Sequence, residues 1–230
     1  ASSSSARRRT KPLDSRRASV LAIVLLVTWK ARASSPGRRA PPSRTKWLST
    51  TNCASVMPSG LTRSKALAES WDQQGARVWT FRLRRGVEFH DGKPLTAADV
   101  VYSLNRHKNP ATASRARSLA MPMTEIVATG PNEVRITLDA PNADLPVVLG
   151  TFHFQIIKDG TTDFSTAIGT GAFRCREFQP GVRSIATRNP NYWADGRPYL
   201  DEVEFIGIAD EQARVNALLS GDVQLIGGVD

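Results

Sequence analysis

The chain has 230 residues, 40% of them hydrophobic, and a formal net charge of +10. Residues 1–50 contain 12 Lys and Arg but a single acid, whereas residues 51–230 contain 19 basic and 20 acidic residues. A nucleic-acid-binding domain would carry its basic surface on the folded part, so we predict no nucleic-acid partner. The length suffices for a buried core, and two cysteines are too few for a disulfide framework.

Residues 1–33 have the parts of an export signal. A basic start, Arg7-Arg8-Arg9, is followed by the apolar run Val20 to Val27 and by Ala31-Arg32-Ala33. About eight apolar residues cannot span a bilayer that requires about twenty. We predict a secretory signal or, because Ser15-Arg16-Arg17 precedes the run, a twin-arginine signal. The alternative is a disordered basic tail that binds nucleic acid or a membrane surface.

Residues 34–60 are expected to be disordered or aberrant. The stretch from Ser34 to Pro42 is rich in Ser, Arg and Pro and has no apolar period. One hypothesis is that the coding sequence of this stretch is out of register with that of residues 61–230.

Regular patterns begin at Leu61. We predict a short element over 66–71, a strand over 78–83, and a helix that starts at Thr96 and ends before Asn109-Pro110. Thr96 and Asp99 have the spacing of a capping box, and the helix's buried stripe is predicted to contain Val100, Val101 and Leu104.

Further elements are predicted up to residue 157. A β-hairpin is predicted over 125–138 around the Gly130-Pro131-Asn132 turn, with Val134, Ile136 and Leu138 facing inwards. Asn142 is expected to cap a short helix that ends at Leu149, and an apolar strand is predicted over 152–157.

The stretch 168–200 predicts a second hairpin. Gly169 and Gly171 bracket Thr170, a strand with period two runs from 172 to 178, Pro180-Gly181 forms a turn, and the return strand covers 182–188. Cys175 falls on the apolar face of this pattern, which predicts a buried thiol. Beyond it, we predict a strand over 203–208, a helix over 211–219 ended by Gly221, and a strand over 223–226.

Three segments, taken in this order, resemble the signatures of one family. They are F-R-L-R-R-G-V-E-F-H-D-G-K-P-L-T-A-A-D-V-V-Y-S-L (81–104), the stretch from G-T-G-A-F-R to R-N-P-N-Y-W (169–193), and I-A-D-E-Q-A-R-V-N-A-L-L-S-G-D-V (208–223). The chain is similar there to the extracytoplasmic solute-binding proteins of peptide/nickel-type ABC importers, that is, family 5 solute-binding proteins of the dipeptide/oligopeptide-binding type.

The resemblance implies an α/β fold. Residues 61–230 would form part of lobe I of a periplasmic-binding-protein type II structure, with a mixed sheet and antiparallel hairpins and with the second lobe largely missing. The expected protein is an N-terminal portion of such a receptor, located in the periplasm or elsewhere outside the cytoplasm. It would be a monomer that binds a peptide or small polar solute and delivers it to ABC permease subunits, with no cofactor.

Four consecutive residues are the candidate ligand-binding site: Thr151, Phe152, His153 and Phe154. In the resembled family the equivalent region borders the cleft between lobes, where an aromatic wall and an imidazole would contact a solute. The alternative is that both phenylalanines belong to the core and His153 to the surface. Arg115 and Arg117 lie where some relatives contact ligand, or in a solvated basic loop.

No residue pattern predicts catalysis or a metal site. His90-Asp91-Gly92 is interpreted as a turn, because no second histidine lies at ligand spacing and no nucleophile with a matching signature is present. Gly169-Thr170-Gly171 precedes a strand, not a helix, which argues against a phosphate loop. Two alternatives to the transport function stay open: a hydrolase that uses His90 and Asp91, and a truncated or frame-disturbed fragment without function.

Overall fold

The computed structural model describes residues 27–32, 67–164 and 167–227, the first of these ranges by its backbone alone. Within these ranges, the chain forms these elements: β1 (Val27–Arg32), β2 (Ala68–Gln74), β3 (Val78–Leu83), α1 (Ala97–Arg106), α2 (Arg117–Ala120), β4 (Met123–Gly130), β5 (Glu133–Leu138), α3 (Leu145–Leu149), β6 (Phe173–Gln179), β7 (Arg183–Arg188), β8 (Glu202–Gly207) and α4 (Glu211–Leu219).

The strands form two four-stranded sheets. Sheet 1 has the order β2-β3-β5-β4, and sheet 2 has the order β1-β8-β7-β6. The α/β lobe with antiparallel hairpins is confirmed. Every strand pairing in the described residues is antiparallel, so the parallel component of the expected mixed sheet is not among them.

The main core lies against sheet 1. Alternation along β3 buries Trp79, Phe81 and Leu83, and β5 buries Val134 and Ile136 on the same face. The register sets Trp79 opposite Ile136 and Phe81 opposite Val134, so aromatic and branched side chains pair across the strands. Burying one such side chain fully contributes about 1.5–3 kcal/mol. The predicted inward face of the hairpin is therefore confirmed.

Helix α1 covers this face and begins as predicted. The Asp99 carboxylate accepts hydrogen bonds from the Thr96 backbone N–H and from Thr96 Oγ1, both at 2.7 Å. Its other oxygen accepts from the Asp159 N–H at 2.8 Å. Val100 and Leu104 are buried against the core. Asp99 therefore both starts the helix and fixes the loop after residue 157.

The strand predicted over 152–157 does not form. Residues 152 and 153 lie in a turn after α3, and the backbone beyond them runs along α1. Ser103 Oγ accepts from the Ile157 N–H at 2.9 Å and lies 3.0 Å from the Ile157 carbonyl oxygen. A helix side chain thus accepts the Ile157 N–H, which a neighbouring strand would otherwise pair. Residues 223–226 also form no strand, and the Val223 N–H donates to the Ala217 carbonyl of α4.

The strands β6, β7 and β8 of sheet 2 bury fewer side chains than sheet 1. They contribute only Ile185 and Val203 to the buried apolar residues. The prediction of a buried Cys175 thiol is wrong: the residue is exposed. The reason is that β6 is the outer strand of the sheet and has a bulge between Cys175 and Glu177, which changes the alternation of its faces.

Strand β1 lies inside the segment predicted as an export signal. Its backbone pairs with β8 from Val27 opposite Gly207 to Arg32 opposite Glu202. The rest of residues 1–33 and all of residues 34–60 lie outside the described residues, so the signal and the disordered stretch stay predictions. In the described part of the chain, no helix has the length and apolar character needed to cross a membrane.

Candidate functional site

The four predicted ligand-binding residues come after α3 in a tight turn. Thr151 Oγ1 donates to the Val148 carbonyl at 2.9 Å, and the Phe154 N–H donates to the Thr151 carbonyl at 3.2 Å. These two bonds end the helix and fix the direction of the three residues after it. Phe152 is 49% exposed, which is unusual for a phenylalanine in a tied-down turn.

The rings of Phe152 and His153 lie against each other. Their centroids are 3.9 Å apart, and the ring planes meet at 31°. The two rings are therefore stacked, so that an apolar ring and an imidazole are held together at one place. Such a pair can pack on an organic side chain and hydrogen-bond a polar group next to it.

Phe154 points the other way. It is 1% exposed, and its ring meets the His107 ring edge to face, with centroids 5.1 Å apart and planes at 72°. Its side chain therefore packs in the core, as the alternative interpretation of this stretch predicts for both phenylalanines. The structure brings Thr151, Phe152 and His153 to the surface together, and we call these three residues the turn surface.

His107 lies behind this turn and was not anticipated from the sequence. Its Nδ1 is 2.7 Å from Ser114 Oγ, so it joins the loop before α2 to the Phe154 ring. Its pKa is lowered to about 4, chiefly by burial and also by Arg106 and His153. His107 is therefore neutral near pH 7. A lone histidine just after a helix carries no periodic signal that could have revealed this role.

Two buried ring nitrogens have no hydrogen-bond partner in the described part of the chain. They are Nε2 of His107 and Nδ1 of His153. A buried polar atom without a partner costs free energy, and a water or a ligand can supply the missing bond. His153 belongs to the turn surface. His107 packs on Phe154, which directly follows His153 in the chain.

The two arginines of the neighbouring loop are exposed. Arg115 precedes α2 and Arg117 begins it, and neither side chain is buried. This fits a solvated basic loop. Their only described connection to the turn surface is through Ser114 and His107.

Both ring nitrogens of His90 contact the backbone just before the second hairpin. Its Nε2 lies 3.0 Å from the Gly171 carbonyl oxygen, and its Nδ1 accepts from the Gly169 N–H at 3.3 Å. Asp91 instead pairs with Lys158 at 2.7 Å. Both ring nitrogens of His90 are thus hydrogen-bonded to backbone, and Asp91 is paired with Lys158. His90 and Asp91 therefore do not form an acid–base pair with each other, which agrees with their interpretation as a turn. Burial is the main cause that lowers the pKa of His90.

A family model and individual relatives identify the same family of proteins. The family model described as bacterial extracellular solute-binding proteins, family 5 Middle, matches residues 63–230. The periplasmic oligopeptide-binding protein OppA of Escherichia coli is 27% identical over 191 residues, which cover 69% of this chain and 34% of OppA.

Solved structures agree with the fold. The binding protein AgaA from A. tumefaciens R10, solved with agropinic acid, is 31% identical with a TM-score of 0.63 over 68% of this chain and 33% of its own. The Helicobacter pylori binding protein DppA, solved with the peptide STSA, is 26% identical with a TM-score of 0.61 over 69% of this chain and 36% of its own. The chain thus spans about a third of the length of the relatives it matches. On the match over residues 63–230, the chain belongs to the bacterial extracellular solute-binding proteins of family 5.

Proposed function

We propose that the protein is the solute-binding component of an ABC importer and that it takes up peptides or small polar solutes of similar size. The family match over residues 63–230 carries this proposal. Support comes from relatives that are named for oligopeptide binding and from a related structure that contains a bound peptide.

The turn surface would contact the solute. Phe152 offers an exposed ring for an apolar side chain, and His153 offers a ring nitrogen for a peptide carbonyl or amide. His107 would hold the turn from behind without touching the solute. Affinity in such a receptor comes from removing these groups from water when a second lobe closes over the solute, and no covalent step is involved.

We further propose a location and a partner for the protein. It acts outside the cytoplasm, in the periplasm or its equivalent, as a monomer that passes the solute to membrane permease subunits. It is not an enzyme and has no nucleic-acid partner. The relatives' periplasmic location and their naming as binding proteins support this description.

The second candidate is that residues 1–230 by themselves bind no solute. The observation in its favour is that these residues span only about a third of the length of the relatives they match. A receptor that holds a solute between two lobes loses affinity when only one of the contact surfaces is present.

Peptide-induced stabilisation separates the two candidates. The purified chain is heated with increasing tripeptide, for example trialanine, and a competent receptor gains about 2.7 kcal/mol at a peptide concentration of a hundred Kd. Phe152→Ala should weaken this response, whereas Phe178→Ala, which removes another exposed ring on β6, should leave it unchanged. If no peptide from a mixed di- and tripeptide set raises the melting temperature, the receptor proposal for this chain is wrong.

A further inference from the structure

An open groove of about 780 Å³ lies on the side of α1 that faces away from the core. One wall is α1, and the other is the loop 159–164. Tyr102 Oη donates to the Thr161 carbonyl at 2.8 Å and thereby ties the loop to the helix. None of the residues that line the groove belongs to the turn surface, so the groove is a separate place on the molecule.

Arg106 is the cation of this groove. Its guanidinium is half-buried and stacks on the Phe164 ring, with Cζ 4.9 Å from the ring centroid. Within residues 67–164 and 167–227, no carboxylate forms an ion pair with it, although several other arginines have one. Burial lowers the pKa of Arg106.

The fold compensates this charge only in part. Arg106 lies in the last turn of α1, where the helix end carries a partial negative charge. The face of the Phe164 ring also attracts a cation. Neither replaces the water that burial removes from a full positive charge, so an anion in the groove would improve the environment of Arg106.

The rest of the groove is polar. The side-chain amide of Asn105 and the hydroxyl of Thr162 make no hydrogen bond in the described part of the chain, and Asn109 lies beside them. These groups could donate to the oxygens of a bound anion. Asp159 also lines the groove and opposes the entry of a second negative charge.

We propose that this groove binds the carboxylate of a small monoanionic solute, with Arg106 as its counter-ion. The planar guanidinium can give two parallel hydrogen bonds to one carboxylate, a geometry that lysine cannot reproduce. Asn105 supplies a further donor. Asp159 selects one carboxylate over two. This binding does not depend on the proposed peptide transport and can be present or absent without it.

An NMR titration tests the site directly. Sodium acetate replaces sodium chloride at constant ionic strength, and the arginine Nε–Hε signals of the full chain are followed. The Arg106 signal, identified by its loss in Arg106→Gln, should shift and saturate, whereas that of the exposed Arg117 should shift little and without saturation. A linear Arg106 shift, or equal shifts of both signals, would overturn the proposal.

Two further variants keep the test decisive if Arg106→Gln folds poorly. Arg106→Lys retains the charge and should bind acetate several-fold more weakly, because the two-pronged contact is lost. Succinate should bind the unmodified chain more weakly than acetate, and Asp159→Asn should reduce that difference. Unchanged acetate affinity in Arg106→Lys, or succinate binding as tight as acetate, would count against the assigned site.

Discussion

The Nε2 atom of His90 lies 3.0 Å from the carbonyl oxygen of Gly171, and this contact joins the segment after β3 to the start of β6. The same carbonyl accepts a hydrogen bond from Asn189 Nδ2 at 3.0 Å. His90 Nδ1 accepts from the Gly169 N–H, and the neutral ring with hydrogen on Nε2 satisfies both of these bonds. The imidazole therefore links the segment after β3 of sheet 1 to the segment before β6 of sheet 2.

Removing this link should destabilise the chain. His90→Ala leaves the Gly169 N–H and part of the Gly171 carbonyl without a partner, which should lower the free energy of unfolding by about 1–3 kcal/mol. Urea unfolding at pH 7.5 measures the change. The neighbouring Asp91→Asn is the control, since it removes only the ion pair with Lys158 and should cost about 0–1 kcal/mol. Equal effects of the two changes would show that the His90 bonds contribute nothing specific.

Stability should fall as the pH drops below neutrality. The pKa of His107 in the folded chain is about 4, whereas an unfolded histidine has its ordinary pKa near 6.5. Between these values the unfolded chain binds the extra proton, so the stabilisation is complete above pH 6.5 and is lost as the pH falls towards 4. His90, whose pKa is also lowered, acts in the same direction.

His107→Leu isolates the first histidine. The leucine can still pack on Phe154 but does not titrate, so the variant's unfolding free energy should depend less on pH between 6 and 4.5. For one group the difference in slope approaches about 1.4 kcal/mol per pH unit. Urea titrations of both proteins at several pH values give the slopes. Parallel pH profiles would mean that His107 is protonated equally in the folded and unfolded chains.

Asp99 should be among the most sensitive polar positions. It is buried and accepts three hydrogen bonds, two from Thr96 and one from Asp159. Asp99→Ala should cost about 2–3 kcal/mol, and Asp99→Asn less, because one acceptor oxygen stays. The exposed Asp139→Ala serves as a control and should stay within about 0.5 kcal/mol of the unmodified chain. An Asp99→Ala protein as stable as the control would refute the role of this carboxylate.

Cys175 should react with thiol reagents without prior unfolding, but slowly. It is exposed, which gives access, while partial burial raises the pKa of its thiol and reduces the thiolate fraction. The measurement is made in a Cys53→Ser background, because Cys53 is the second thiol of the chain. There, native Cys175→Ser protein should lose this reaction, and the rate of the protein that keeps Cys175 should rise from pH 7 to pH 9. A thiol that reacts only in denaturant would contradict the exposed position on β6.

Local patterns predicted much of the fold. The strands at Val78–Leu83 and Glu133–Leu138 alternate cleanly, and Gly221 marks the end of the helix Glu211–Leu219, so the predictions of all three elements are confirmed. These signals depend on neighbours within a few residues.

Features decided by distant contacts were not predicted. Residues 152–157 look like a strand, but the Ser103 hydroxyl binds their backbone from another element. Cys175 fits the buried face until the bulge is known. At the candidate site, the sequence pattern grouped Phe152 and His153 with Phe154 and could not show that Phe154 is buried. It also gave no sign that His107 lies against the Phe154 ring.

The bulge in β6 has a consequence for how molecules of this protein meet in solution. An outermost strand with regular, unpaired amides is a template on which another chain can add a strand, and that growth leads to aggregates. The irregularity between Cys175 and Glu177 breaks the repeat, and Arg174 and Arg176 place charge along the same strand. Deleting one residue there would restore the regular spacing of the strand. We expect β6 to pair more readily with a strand of another molecule as a result, and the protein to aggregate more.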